Sequence, residues 1–270
     1  MLQGFKMLFD THCHLSLVIK NKIDINYIIK NALNKSVTSI FDISAGIADF
    51  VIRRALVKEV TEKHGCTIYL SAGIPPYFCD KRIPGDIDEV KEQAEGEKSV
   101  VGIGEIGLDY FHDYGEKSQQ ISLFIEQIEV ANKLNLPIVV HTREADADLV
   151  ETLKHHQTLK NGIIHCFSSG IPTVKKLLDL GFYISFAGNV TYKKSGRIQD
   201  AAGYVPDDRY LIETDSPYLS PAVYRGKPNE PAYIAETAIF LAGLRGIELE
   251  FLADQTAENA RMVLGIGDEK

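Results

Sequence analysis

Short apolar segments rich in β-branched residues recur along this 270-residue chain, and longer segments with helical spacing separate them. That alternation is typical of a parallel sheet whose strands are joined by crossover helices. Most of the short segments are apolar on both faces of the pleat, as strands that are covered on both sides must be. We count eight of them, at residues 7–11, 37–43, 67–73, 100–104, 137–140, 162–165, 183–186 and 210–213.

Eight such strands predict a closed (β/α)8 barrel, the TIM barrel of the α/β class, and an open doubly wound sheet is the alternative. Barrels of this kind commonly run to about 250 residues, so we expect residues 1–270 to form one domain. Residues 1–6 precede the first strand and are interpreted as an extension or as an early start before Met7. Near the other end, a last helix is predicted over residues 250–264, closed by Gly265.

Charge limits the kind of partner that the chain can bind. The formal net charge is −8 and the pI is about 5.5. A protein that coats long duplex DNA needs a broad basic surface, so that class is excluded and any nucleic acid contact must be local. The amino terminus lacks the apolar core of a signal peptide, and no stretch approaches 18 apolar residues, so we expect a cytoplasmic protein.

Metal-ligating side chains follow five of the predicted strands. Active sites of barrels are built where strands end and in the loops that follow, so these side chains are expected to converge. Any one of them alone is as well explained by chance, but all of them together are not. They are His12 and His14 after the first strand, Glu105 after the fourth, His141 after the fifth, His165 after the sixth and Asp215 after the eighth.

Six nitrogen and oxygen donors fit two divalent metal ions. Imidazoles favour Zn²⁺ or Mn²⁺, and carboxylates admit Mg²⁺ as well. The four cysteines form no CxxC pair, which indicates neither a zinc knuckle nor a disulfide framework. Cys13 and Cys166 adjoin the histidines, but neighbours on a strand point to opposite faces, so we expect both thiols to point away from the metals.

Five motifs, in order along the chain, make the sequence resemble the TatD family of metal-dependent hydrolases. The resemblance runs from about Met7 to about Gly265 and is supported further by RGKPNEP (225–231) and by TAENA before the last helix. The motifs are DTHCHL (10–15), GEIGLDY (104–110), VVHTREA (139–145), HCFS (165–168) and ETDSPYLSP (213–221).

The resemblance implies which residue serves which metal. His12, His14 and Asp215 would hold one ion, His141 and His165 the other, and Glu105 would bridge both. The chain departs from the family at one point: the third strand commonly ends in a G-x-H-P pattern, whereas this chain has proline at the position of the histidine, Pro75. That histidine belongs to the substrate mouth, so its loss bears on substrate preference more than on metal binding.

A hydrolytic mechanism follows as a hypothesis, with Glu105 and Asp215 as the catalytic residues. Two ions activate a shared water for attack on phosphorus, and Asp215 orients that water and accepts its proton. The residues predicted to contact substrate are Arg143, Tyr110, His112, Lys193 and Arg225. Further candidates are Lys194, Arg197 and Lys227 for phosphates, and Tyr77, Phe78 and Phe111 for stacking on bases.

The leading functional prediction is a monomeric deoxyribonuclease of the 3'-5' exonuclease type, acting on single-stranded ends or short DNA, because a deep barrel mouth excludes the middle of a duplex. The same activated water attacks a carbonyl carbon equally well, so an ester or amide hydrolase acting on aminoacyl-tRNA or a small metabolite is an alternative. A noncatalytic metal-binding barrel is the third reading, and keeping all six ligands argues against it.

Overall fold

The chain forms an eight-stranded parallel barrel in a computed structural model that describes residues 7–20 and 23–267. The predicted extension at residues 1–6 lies outside the described residues. Each strand pairs with the next along the chain. Closure comes from a bridge between Cys13 and Ser216 and from the Asp215 amide, which donates to the His12 carbonyl at 2.8 Å. The predicted closed barrel is confirmed, and the open sheet is excluded.

The strands agree in number and order with the sequence prediction. They are β1 (Leu8–Cys13), β2 (Val37–Asp42), β3 (Thr67–Ala72), β4 (Val100–Asp109), β5 (Ile138–Arg143), β6 (Ile163–Ile164), β7 (Tyr183–Phe186) and β8 (Tyr210–Ile212). The helices are α1 (Leu15–Ile19), α2 (Ile25–Asn34), α3 (Phe50–His64), α4 (Asp86–Gly96), α5 (Lys117–Leu134), α6 (Asp146–His155), α7 (Ile171–Asp179), α8 (Gly196–Tyr204), α9 (Ile234–Arg245) and α10 (Leu249–Leu264).

Strand β4 differs most from its prediction. It continues five residues past Gly104, because Asp109 at its end pairs in register with Arg143 of β5. Glu105 therefore lies within a strand and does not follow one, and the same holds for His141 in β5. The β1–β2 register shifts next to His12 and the β4–β5 register shifts next to Glu105. Such irregularities re-aim side chains, and here they accompany two proposed metal ligands.

Two layers of apolar side chains hold the barrel together, one between the strands and the helices and one inside the barrel. Inside it, residues such as Phe9, Phe41, Val139 and Leu211 form one buried cluster. Helix α10 adds Ala257, Ala260, Val263 and Leu264 to that cluster, and it ends at Gly265 in the left-handed conformation, as predicted. The amino end of the barrel is thus closed by α10, which leaves the carboxyl end for the site. Among the described helices, none is long and apolar enough to cross a membrane.

Candidate metal centre

All six predicted ligands meet at the carboxyl end of the barrel. Three overlapping groups of donor atoms, each within 4.8 Å of one another, are formed by His12, His165 and Asp215, by His12, His14 and Glu105, and by Glu105, His141 and His165. The side chains are buried or nearly so, with His12 fully buried and Glu105 6% exposed. Residues separated by up to 203 positions in sequence thus form one cluster.

Glu105 joins two halves of this cluster because its two oxygens face different donors. Oε1 lies 2.7 Å from Nδ1 of His141 and 3.0 Å from Nε2 of His165. Oε2 lies 3.7 Å from Nε2 of His14 and 4.0 Å from Nε2 of His12. Asp215 belongs to the second half, with Oδ1 3.7 Å from the Nε2 atoms of both His12 and His14.

The spacing of the donors fits metal ions. Ligands about 2.0 Å from a tetrahedral zinc lie about 3.3 Å from one another. In the first half of the cluster, the His141 and His165 nitrogens and Glu105 Oε1 are separated by 2.7 to 3.1 Å. In the second half, the donor atoms are separated by 3.2 to 4.0 Å. Each half can therefore hold one small cation after small movements of the donor side chains.

Acceptors around the cluster orient three of the four imidazoles. The Ile43 carbonyl accepts from Nδ1 of His14 at 3.0 Å, and Asp109 Oδ2 accepts from Nε2 of His141 at 3.1 Å. Glu213 Oε1 accepts from Nδ1 of His165 at 3.3 Å. A ring nitrogen that donates outward leaves the other nitrogen with a lone pair. In each ring that second nitrogen is the one that faces Glu105 or Asp215.

Burial disfavours charge on His141 and His165, but their carboxylate partners outweigh it and raise the pKa of both rings. The inward nitrogens of His141 and His165 lie 3.1 Å apart, and both face a carboxylate oxygen of Glu105. A cation bound by His141, His165 and Glu105 would take the place of the ring protons, because histidine binds metal ions through a deprotonated nitrogen. The chemistry and orientation of the residues present thus fit two divalent ions.

Burial acts strongly on the ionisable groups of the cluster. It holds the pKa of His12 well below its usual value, so the ring stays neutral and its nitrogen remains available as a ligand. Burial also raises the pKa of Asp215 to about 8, with the charges of Glu213 and Glu105 adding to the effect. A dication beside Asp215 would offset that desolvation and stabilise the carboxylate.

The backbone at Asp215 turns sharply to bring its side chain over the barrel. Asp215 has φ of 56°, a left-handed conformation that is uncommon for residues other than glycine. Directly before it, Thr214 donates through its amide and its hydroxyl to the buried carboxyl of Asp10. Asp10 thereby ties the loop after β8 to β1, the strand that carries His12.

A cavity of about 1620 Å³ opens above the cluster, and five of the six proposed ligands line it. Of the five predicted substrate contacts, His112 and Arg143 line this cavity. Tyr110, Lys193 and Arg225 are not part of its lining: the Tyr110 hydroxyl donates to Asp148, and the Arg225 guanidinium covers the ring of Tyr192. Lys193 is exposed to solvent. Tyr110, Lys193 and Arg225 therefore stay predicted substrate contacts for a substrate that extends beyond the cavity.

The other predicted contacts divide in the same way. Tyr77, Phe78 and Arg197 line the cavity, whereas Lys194, Lys227 and Phe111 are absent from its lining. Phe111 nevertheless stands directly behind Arg143, whose guanidinium lies 3.9 Å from the centre of the phenyl ring. Pro75, which replaces the family histidine, adds no side chain to the lining.

Cys13 and Cys166, the two cysteines next to proposed ligands, differ in their surroundings. Cys13 is fully buried in the apolar layer between strands and helices, as predicted. Cys166 lines the cavity, so the prediction that it points away from the mouth is wrong. The reason is that β6 ends at Ile164 and Cys166 has φ of 46°, so strand alternation no longer sets its direction. Neither thiol belongs to a metal-binding group among the residues described.

Three buried acids that support the ligands were given no role by sequence reasoning. They are Asp109, which holds His141, Glu213, which holds His165, and Asp10, which holds the loop at Thr214. A signal was present for two of them, since Asp10 stands two residues before His12 and Glu213 two before Asp215. An acid within an otherwise apolar strand is rare unless it is paired.

Comparison with known proteins places the chain among metal-dependent hydrolases. A family model described as TatD related DNase matches residues 9–265. The uncharacterized metal-dependent hydrolase YcfH of Escherichia coli K12 is 37% identical over 255 residues, which cover 93% of each chain. The 3'-5' ssDNA/RNA exonuclease TatD of Erwinia amylovora is 31% identical over 77% of this chain and 82% of its own. The crystal structure of YJJV, a TatD homolog from Escherichia coli K12, superposes with a TM-score of 0.88 at 25% identity, covering 96% of this chain and 98% of its own.

Proposed function

The chain belongs to the TatD family of metal-dependent hydrolases, and on that premise we propose that it is a nuclease of the 3'-5' exonuclease type that cleaves phosphodiester bonds at single-stranded DNA ends. Two divalent ions serve the reaction, Zn²⁺ as bound and Mg²⁺ or Mn²⁺ as further activating ions. His12, His14 and Asp215 would hold one ion, His141 and His165 would hold the other, and Glu105 would be shared between them.

One observation carries the proposal: the two oxygens of Glu105 face two separate sets of donors at the floor of an open cavity. A pair of ions bridged by a carboxylate is the arrangement that enzymes use for in-line displacement at phosphorus. The relative from Erwinia amylovora, named as an exonuclease for single-stranded DNA and RNA, supports this choice of substrate class. Burial of the ligands supports end-directed cleavage, since the rigid middle of a duplex cannot enter a barrel mouth.

When bound, the ions supply Lewis acidity, which lowers the pKa of a water molecule and withdraws charge from the phosphate. The chain's own residues position the reaction around them. Asp215 orients the attacking water and accepts its proton through a carboxylate oxygen. Arg143 meets the substrate from the cavity wall, where its planar guanidinium can donate two parallel hydrogen bonds to phosphate oxygens. Asp109 and Glu213 keep His141 and His165 in their ligating orientation.

We further propose that the protein acts in the cytoplasm as a monomer. The argument for a monomer is that all six proposed ligands come from one chain, so the site needs no residue from a partner. Sedimentation at several protein concentrations tests this, and a concentration-dependent shift to a dimer would contradict it.

The nuclease proposal is tested with single-stranded oligonucleotides that carry a fluorophore at the 5' end. The protein is stripped with EDTA and reloaded with Zn²⁺, Mn²⁺ or Mg²⁺ before each assay. We expect a ladder that shortens one nucleotide at a time from the 3' end, and no products in EDTA. The same oligonucleotide with a hairpin closing its 3' end should resist cleavage.

Three outcomes separate the competing functions. Internal cuts from the first time point would contradict the end-directed mechanism. Metal-dependent hydrolysis of carboxylic esters or of aminoacyl-tRNA, without cleavage of DNA or RNA, would replace the nuclease by an ester hydrolase. Absence of turnover on all these substrates in a protein that binds two ions would leave a metal-binding barrel.

A further inference from the structure

We propose that His112 and Arg143 form a second phosphate site beside the metal centre, which binds the phosphate adjacent to the scissile one. This inference rests on the proposed nuclease function and deepens it. A second phosphate site makes the enzyme selective for chains with at least two consecutive phosphodiester linkages.

His112 is held in place by a buried carboxylate. Asp109 Oδ2 accepts from Nδ1 of His112 at 3.0 Å, and Asp109 Oδ1 accepts from the backbone amide of the same residue. This leaves Nε2, on the other side of the ring, without a partner among the described residues. The side chain is 38% exposed and lines the cavity. Nδ1 is therefore anchored on Asp109, and Nε2 can donate to a phosphate oxygen when the ring carries its second proton.

Arg143 is exposed, packs on an aromatic ring and has no ion-pair partner among the described residues. Its guanidinium lies 3.9 Å from the centre of the Phe111 ring, and the His112 ring packs edge-on against the same phenyl group at 4.9 Å. In the part of the chain that the structure describes, no carboxylate forms a salt bridge with this guanidinium. A guanidinium stacked on an aromatic face keeps its N–H groups free in the plane of the stack.

The position of the pair relative to the metal centre follows from Asp109. The same Oδ2 atom accepts from His112 and, at 3.1 Å, from His141, a proposed ligand. His112 therefore stands one side chain outward from the ligands, along the wall of the cavity. A phosphate bound here lies beside the metal centre and not within it, as the next phosphate of a polymer would.

The acids nearby do not neutralise the site. Both oxygens of Asp109 are occupied by N–H donors of His112, Phe111 and His141. Asp146 accepts from the hydroxyls of Ser169 and Thr173, one on each oxygen. Asp113 and Glu144 are exposed, where water and salt screen their charge. An imidazolium between Asp109 and a phosphate would be paired on both sides.

The size of the cavity also favours a polymer. A pocket for one small molecule measures about 300–1,000 Å³, whereas this cavity measures about 1620 Å³. The volume beyond the metal centre is thus large enough for a neighbouring nucleotide, and the His112–Arg143 pair provides charge complementary to its phosphate.

The test combines a change in the substrate with a change in the protein. Oligothymidylates are made with an uncharged methylphosphonate at the second linkage from the 3' end, next to the scissile linkage, or at the fourth linkage as a control position. The full-length metal-loaded protein is compared with the double variant His112→Gln/Arg143→Gln. A matched control is Arg209→Gln, which removes an arginine stacked on Tyr183 at the amino end of β8.

We expect neutralisation of the second linkage to lower kcat/KM of the unmodified protein by about 10- to 100-fold. The double variant should show that loss already on the native substrate, and less than about 3-fold further loss on the methylphosphonate. Neutralisation of the fourth linkage and the Arg209→Gln change should each have little effect. Equal sensitivity of the double variant and the unmodified protein to the second methylphosphonate would overturn the inference.

A binding measurement separates this inference from the nuclease proposal. The affinity for fluorescein-labelled oligothymidylate is followed by anisotropy in EDTA at several salt concentrations. The double variant should bind more weakly, with the slope of log affinity against log salt reduced by about 0.7 for the lost phosphate contact. An unchanged slope would refute the phosphate site. Failure of the metal-loaded protein to cleave any oligonucleotide would refute the nuclease proposal instead.

Discussion

Asp109 Oδ2 accepts a hydrogen bond from Nε2 of His141 at 3.1 Å, and Nδ1 on the other side of that ring lies 2.7 Å from Glu105. The carboxylate thus selects which nitrogen carries the proton and which faces the proposed ion. Buried hydrogen bonds outweigh the burial of Asp109 and hold the pKa of its carboxyl below the usual value. Asp109 therefore acts as an anion at neutral pH.

Replacing Asp109 with Asn should weaken metal binding by about 10- to 100-fold, because the amide no longer fixes the His141 tautomer by charge. Competition with a chromophoric chelator measures the affinity. Glu151→Gln is the matched control, since Glu151 pairs with the exposed His155 on the surface of α6. Equal affinities in the two variants would show that Asp109 has no positioning role.

Glu105→Gln should remove the bridge between the two halves of the cluster. An amide keeps the volume but provides one neutral oxygen in place of a shared carboxylate, so at least one ion should be lost. Metal analysis after gel filtration should show fewer than two ions per chain, and turnover should fall by more than about 100-fold. Two firmly bound ions in this variant would contradict the bridging role.

Asp215→Asn separates metal binding from catalysis. The side chain still offers one oxygen to an ion, but an amide cannot accept a proton from the attacking water. We expect metal content close to that of the unmodified protein, with turnover nearly abolished. Unchanged turnover in this variant would remove Asp215 from the proton-transfer step.

Adding ions to the EDTA-stripped protein should raise its melting temperature, because ligands that bind only the folded state stabilise it. At a free concentration about 100 times the Kd the gain is about 2.7 kcal/mol for each site. For a chain of this size that corresponds to several degrees. Differential scanning fluorimetry measures the shift, which should shrink in Glu105→Gln.

Asp42 should make the stability of the metal-free protein depend on pH. Burial raises the pKa of this fully buried carboxyl to about 7, above its value of 3.8 as a free group. Between pH 4 and 7 the folded state thus holds a proton that the unfolded state has released. The contribution of Asp42 to stability therefore falls as the pH rises through this window.

The comparison with Asp42→Asn isolates that effect. Urea unfolding at pH 4 and pH 7 gives the difference in unfolding free energy between Asp42→Asn and the unmodified protein. From the lower to the higher pH, that difference should change in favour of the variant by up to about 4 kcal/mol. The EDTA-stripped forms are used so that metal binding does not contribute. A difference that is the same at both pH values would mean that Asp42 is ionised throughout in the folded protein.

Several structural features were accessible from local sequence patterns. Apolar runs of strand length identified eight strands in the correct order, and helical spacing identified the last helix, α10 (Leu249–Leu264). The position of polar residues at the ends of those runs singled out the side chains that converge in the cluster. These inferences succeed because they depend on neighbours within a few residues, and because parallel strands bring their carboxyl ends to one edge.

Other features depended on how distant strands pair. The extension of β4 to Asp109 requires β5 as a partner, and the turn of Cys166 into the cavity requires β6 to end where it does. Whether a cation reaches the mouth also depends on tertiary packing: Arg143, at the end of β5, lines the cavity, whereas Lys193, in the loop after β7, does not.

The sequence by itself determined the type and order of the elements and the chemical identity of the proposed ligands, since both follow from residue types and short spacings. Only the tertiary structure decided which oxygen of Glu105 faces which imidazole, and which buried acid supports each ring. Asp109 and His141 are 32 residues apart, and Glu213 and His165 are 48 apart. Hydrogen bonds at such separations are set by strand register and local bulges, which local periodicity does not specify.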